Sequence, residues 1–131
     1  MVPPFPNKLP HSPVLQKAQE IFTLSRNISH YFVDDLAPLR ADGTEDPDIY
    51  FSGDIVQQSE SLAPEIMKAE NHPFAEAKHR HAASVARLTN MLYRNCERLE
   101  RSNTNGKEFV RLLRDELKKF RRLQRTWTLT L

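Results

Sequence analysis

Apolar residues recur every three or four positions along most of this chain. Val14, Ala18, Ile21, Ser25, Ile28 and Phe32 follow one another at that spacing, directly behind Ser12 and Pro13. A serine hydroxyl takes up a free N–H at a helix start, and proline fits the first helical position, so pattern and start signal agree on a helix over 13–36. Pro38 and Gly43 break it, and Asp46 with Pro47 repeats the start signal for a second helix over 47–70. Pro64 lies inside that helix, where a missing N–H and a ring clash predict a kink near 60–64.

The stretch "ENHPF" interrupts the pattern once more. Phe74, Ala77, His81, Val85, Leu88, Leu92, Cys96 and Leu99 then step by three and four, the seam of a long third helix over 73–102. "SNTNG" reads as a short polar turn, and Asn105 with Glu108 reads as a capping box opening a fourth helix over 106–125. Phe109, Leu113, Leu117, Phe120, Leu123 and Trp127 make its apolar side. The closing "TWTLTL" alternates with period two, so the last residues are expected to leave the helix.

Four amphipathic helices joined by short connections predict an all-α fold, an up-down antiparallel four-helix bundle over 13–131. Phe32, Ile55, Ile66, Val85, Leu88, Leu92, Leu113, Leu117 and Phe120 are its expected core. Residues 1–12 are a separate matter. "MVPPFPNKLPHSP" carries five prolines, which block helix and sheet, so 1–12 reads as an extended Pro-rich arm, either a free tail or a docking segment anchored by Phe5 and Leu9.

Composition agrees with this fold. The 131 residues are 39% hydrophobic and 27% charged with only three Gly, which favours long helices over a turn-rich β architecture. No apolar run approaches the roughly 20 residues needed to span a bilayer, so no membrane partner is expected. A lone Cys96 and the lack of a basic-then-apolar leader point to a cytoplasmic protein without disulfides.

Charge changes the picture further, because the net +2 conceals a division. The first half of the chain is acidic and the second strongly basic. In the fourth helix Lys107, Arg111, Arg114, Lys118, Arg121 or Arg122, and Arg125 share one stripe, and in the third Arg80, Arg87, Arg94, Arg98 and Arg101 form another. Side by side, the two stripes would make a cationic plate suited to phosphate contact. The opposing expectation is a solvated face, or one neutralised by the acidic helices.

Catalytic and metal signatures are weaker. Glu76-x-x-His79 occurs once, where a di-iron bundle would repeat it, and His30 with Asp34 gives two ligands at most. Arg26 and His30 stand four apart, closer than the five to seven expected of a helical RNase pair. No nucleophile elbow, phosphate loop or dinucleotide fingerprint is present. A non-enzyme without cofactor is therefore expected.

One stretch is familiar. "DIVQQSESLAPEIMKAE", following a first helix with "KAQEIFTLSRNIS" and preceding a long third helix, resembles the four-helix-bundle family of 23S ribosomal RNA intervening-sequence proteins. Ile55, Ser61, Leu62, Ala63, Pro64 and Ile66 fit the family's order; Glu65 replaces its Asn, Pro64 comes one place late, and "MKAE" replaces an Ala-Glu-Gly ending. The superfamily includes the accessory variability determinant of diversity-generating retroelements, a basic ring-shaped oligomer that binds nucleic acid and its reverse transcriptase. The resemblance thus implies a homo-oligomeric ring, RNA or DNA as partner, and a reverse transcriptase beside it. From the residues alone, a protein-protein adaptor or self-assembling scaffold remains the other reading.

Overall fold

The computed structural model describes residues 12–36, 42–44, 48–101 and 106–131. It contains four helices: α1 (Pro13–Leu36), α2 (Asp48–Asn71), α3 (Ala75–Glu100) and α4 (Lys107–Thr128). Each packs on its two neighbours around a closed ring, α1 on α2 and α4, α3 on α2 and α4. This is the expected up-down four-helix bundle. No described helix is long and apolar enough to cross a membrane.

The helices form for the reasons the pattern gives. Ser12 caps α1: its hydroxyl accepts from the Leu15 N–H at 3.3 Å, and its carbonyl accepts from the Gln16 N–H at 3.1 Å. α2 runs unbroken through Pro64. The Asp46–Pro47 start signal and the Asn105 half of the capping box lie outside the described residues, as does the arm over 1–11. At the start of α4 stands Gly106, which makes no side-chain cap.

Packing follows an alternation of three and four, with one step of seven at the end of α4. Val14, Ala18, Ile21, Ser25, Ile28 and Phe32 are buried on α1, as expected; Ser52, Ile55, Ser59, Leu62, Ile66 and Ala69 are buried on α2. On α3 the row is Ala82, Val85, Thr89, Leu92, Cys96 and Leu99, and on α4 it is Val110, Leu113, Leu117, Phe120 and Trp127. Such rows interlock as knobs into holes. Large and small side chains meet across them: Gly106 lets the Phe32 ring in so closely that an added Cβ would lie 2.6 Å from Cε2.

Three expectations need correction. Leu88 is only half-buried, because Thr89 takes the inward position and satisfies its hydroxyl on the Val85 carbonyl at 2.7 Å. Phe74 and Phe109 are exposed, at 69% and 49%, since α3 begins after the first and Val110 points inward beside the second. Finally, the fourth helix runs three residues past the expected 125: residues 129–131 of "TWTLTL" leave it, as expected, but 126–128 do not. α4 continues to Thr128, held by buried Trp127, whose indole N–H donates to Glu70 Oε2 at 3.1 Å.

Candidate nucleic-acid interface

Helical phase decides where the cations point. On α4 the buried row through Leu113 and Leu117 leaves Lys107, Arg111, Lys118, Arg122 and Arg125 on the far side, a row about 27 Å long at 1.5 Å per residue. Arg111, Lys118, Arg122 and Arg125 are exposed and Lys107 is half-buried. Arg114 and Arg121 stand at the edge of this row and lean onto α3. Arg121 lies over the Tyr93 ring, 4.3 Å from its centroid, and donates to Asn90 Oδ1 at 3.0 Å. Arg114 Nη2 lies 3.2 Å from Glu100 Oε1, while its Nε is buried without a partner.

The α3 cations lean the other way. Arg87 borders the α2–α3 groove beside Ser61, Glu65 and Met91, and donates to Ser84 Oγ at 3.1 Å. Arg94 and Arg98 border the same groove higher up, beside Phe51, Asp54 and Gln58. Arg98 sits over the Phe51 ring at 4.7 Å. Arg101 closes α3 as its C-cap and is exposed. At about 100° per residue, Asn90 and Glu97 fall between this row and α4. The cations therefore form two parallel rows separated by a polar strip.

Neutralisation is sparse and local. Glu100 is shared by Arg111, at 3.5 Å, and Arg114. Among the described residues of the acidic helices, Glu65 pairs with His81 and Lys68, Glu70 accepts from Trp127, and Glu20 pairs with Lys17. The link from the acidic half to α4 runs in the opposite sense, from Lys17 Nζ on α1 to Glu116 Oε2 at 2.9 Å. Its hydrogen bonds to Lys17 hold the Glu116 carboxyl below its ordinary 4.5, and those to Glu20 and Glu116 hold the Lys17 ammonium above 10.5. Among the described residues, Arg80, Arg94, Arg101, Lys107, Lys118, Arg122 and Arg125 have no carboxylate within salt-bridge distance.

The remaining chemistry is scattered. Among the described residues no three His, Cys, Asp or Glu side chains converge as a metal site. Glu76 and His79 are exposed, and the side chain of Asp34 lies outside the described residues, so the His30–Asp34 pair does too. His81 is half-buried between α2 and α3 with Nδ1 2.7 Å from Glu65 Oε2, the satisfied histidine expected on a seam. Cys96 is fully buried, and burial pushes its thiol up to about 12, which keeps it from acting as a nucleophile near neutral pH.

Two features escaped the sequence. One is the polar strip between the basic rows, which depends on how far each helix is rotated. The other is an apolar groove of about 330 Å³ between α1 and α4, lined by Leu24, Asn27, Ile28, Tyr31, Phe109 and Leu112. The adjacent apolar pairs Phe109–Val110 and Leu112–Leu113 were its signal, since a narrow seam can bury only one of each pair. No protein-family model, curated protein or solved structure matches this chain.

Proposed function

We propose that this protein is a non-enzymatic, basic four-helix bundle that binds RNA or DNA through phosphate contacts along α3 and α4. The observation that carries this reading is the unpaired α4 row. Lys107, Lys118, Arg122 and Arg125 lie along one helix face, and among the described residues no carboxylate of the acidic half reaches them. A row of this kind follows a phosphate backbone and carries no base-reading geometry, so binding is sequence-independent and falls with salt. Arg98 on Phe51 and Arg121 on Tyr93 keep further guanidinium planes at the edges of the two rows.

The resemblance to intervening-sequence proteins supports a cytoplasmic homo-oligomeric ring acting beside a reverse transcriptase. Charge supports assembly independently, because the acidic α1–α2 side of one copy complements the basic α3–α4 side of another. That same complementarity favours the adaptor reading, in which the basic rows serve assembly alone. Reversing charge at Lys118, Arg122 and Arg125 separates the two. These side chains are exposed, whereas Arg114 is anchored in packing and would confound the test. The triple variant should retard RNA and DNA much less than the wild type, while Arg26→Glu with Lys68→Glu on the acidic half changes little. A variant that loses its oligomeric state but keeps its affinity would place the rows in assembly.

A further inference from the structure

The two grooves that flank α3 hold their arginines differently. On the α4 side, Arg121 is half-buried, lies over Tyr93 and donates to Asn90, so its plane is already committed. On the α2 side, Arg98 lies over the Phe51 ring, 4.7 Å from its centroid, and is exposed all the same. The ring covers one face of the guanidinium, so the face that solvent reaches is the other. A planar cation held in this way offers a flat stacking surface at little cost in side-chain entropy.

We propose that the α2–α3 groove binds single-stranded nucleic acid, with a base stacked on the open face of Arg98 and phosphates on Arg94 and Arg87. This binding rests on the nucleic-acid reading above and adds to it a site for unpaired strands.

Arg87, Arg94 and Arg98 are all exposed and border the groove along about 16 Å of α3, at 1.5 Å per residue. Met91 borders both its upper and its lower part and makes the two continuous. A cationic wall beside a stacking surface tracks a strand without reading its sequence. In a duplex each base is stacked on its neighbours and offers no free face, so the platform selects unpaired bases.

The floor of the groove sets the orientation of the strand. Asp54 and Gln58 are half-buried and Asn95 is buried, beneath the exposed arginines. The Asp54 carboxylate repels a phosphate and accepts from a base amino group, which puts the phosphates at the arginine rim and the base inward. Asn95 donates to Gln58 Oε1 at 3.0 Å, leaving Asn95 Oδ1 as an acceptor and the Gln58 amide N–H groups as donors. Donors and acceptors side by side suit more than one base edge, so stacking governs affinity. Lower in the groove Glu65 is engaged with His81 and Lys68, away from Arg87, which donates to Ser84.

Arg98→Lys separates stacking from charge, because it keeps the cation and removes the plane. The probes are a labelled oligothymidylate and an abasic strand of the same length, compared by fluorescence anisotropy at one salt concentration. The wild type should bind the oligothymidylate more tightly, and Arg98→Lys should reduce that preference at least about fivefold, the lower end for one stacked base. Phe51→Leu should act in the same direction, since an aliphatic side chain fills the space without holding the guanidinium flat. Reversing charge at Lys118, Arg122 and Arg125 should weaken binding of both strands and keep the preference between them. Equal affinity of the wild type for the two strands, or a preference that survives Arg98→Lys, would overturn the stacking site and leave the phosphate contacts of α4 standing. Failure to bind either strand or a duplex would overturn both. Displacement of the oligothymidylate by poly-glutamate as readily as by its own unlabelled strand would also overturn the stacking site, by assigning these arginines to an acidic protein partner.

Discussion

Gly106 shows how a single residue can carry a packing constraint that its local context hides. Its φ of −86° is open to any amino acid, so space and not backbone conformation demands glycine. A Cβ there would meet Phe32 Cε2 at 2.6 Å and Tyr31 Cδ1 at 3.1 Å. Overpacking of this kind costs about 1 to 3 kcal/mol, more than the roughly 0.4 to 1 kcal/mol that losing a glycine returns through the unfolded chain. Gly106→Ala should therefore lower the midpoint of urea unfolding; an unchanged or raised midpoint would contradict the close approach to Phe32. In "SNTNG" this glycine reads only as a turn residue, because its partner lies on α1, more than seventy positions earlier.

Lys17 and Glu116 make a second residue-scale case, with a sign that pH can read. Glu116 is held below its ordinary 4.5, so its contribution is present above that value and is lost as pH falls through its folded-state value. Lys17 is held above 10.5, so its contribution is present below that value and is lost as pH rises through the folded-state value. The pair therefore stabilises the α1–α4 contact across the neutral range. In NMR titration, Lys17→Met should bring the Glu116 carboxyl back up towards its ordinary value; a Glu116 titration unmoved by the substitution would remove Lys17 as the cause.

At the scale of elements, α1 was the most legible helix. All six of its expected inward positions are buried, and its Ser12 cap is made. α3 was less so, because two rows fit its sequence equally well until its partners are known. Leu88 and Thr89 are adjacent, hydrophobicity favours the leucine, and the bundle turns the threonine inward. Leu92→Ala should cost about 2 to 5 kcal/mol, the range for opening a core cavity, and Leu88→Ala clearly less. Equal losses in chemical denaturation would mean that α3 is rotated from the position described.

The end of α4 was legible in part, for residues 129–131 leave the helix as expected while 126–128 stay in it. "TWTLTL" alternates like a strand, yet the indole of Trp127 is buried and bonded to Glu70. Thr128 and Thr130 return their hydroxyls to the carbonyls of Gln124 and Trp127, at 2.8 and 2.6 Å. Tertiary burial of one large side chain outweighs a weak local preference for extended backbone. Pro64 lies inside α2, as expected, and the helix continues through it to Asn71 and buries Ile66 and Ala69 beyond it.

For the whole molecule, the sequence showed that cations gather on the last two helices, and helix rotation decided how they are grouped. Arg87, Arg94 and Arg98 belong to the α2–α3 side, while Arg114 and Arg121 lean across the α3–α4 seam. Which carboxylates remained to neutralise them was likewise hidden, since it depends on Glu100 facing α4 and on Glu65 and Glu70 being occupied. Among the described residues, Lys107, Lys118, Arg122 and Arg125 on α4 have no carboxylate within salt-bridge distance, and this row is what the proposed phosphate contact rests on.

The salt dependence of nucleic-acid binding tests that claim most directly. Contact of Lys107, Lys118, Arg122 and Arg125 with four phosphates of duplex DNA predicts that the logarithm of the binding constant falls with the logarithm of salt at a slope of about −3.6, and steeper where the α3 row joins. On single strands the same four contacts give about −2.8. Reversing Lys118, Arg122 and Arg125 should flatten the duplex slope by at least about 2.7. Fluorescence anisotropy with labelled duplexes and single strands of several sequences measures all of this in one series. Similar slopes for every sequence, flattened in the triple variant, are the result predicted; no binding at low salt, or binding indifferent to salt, would contradict the account.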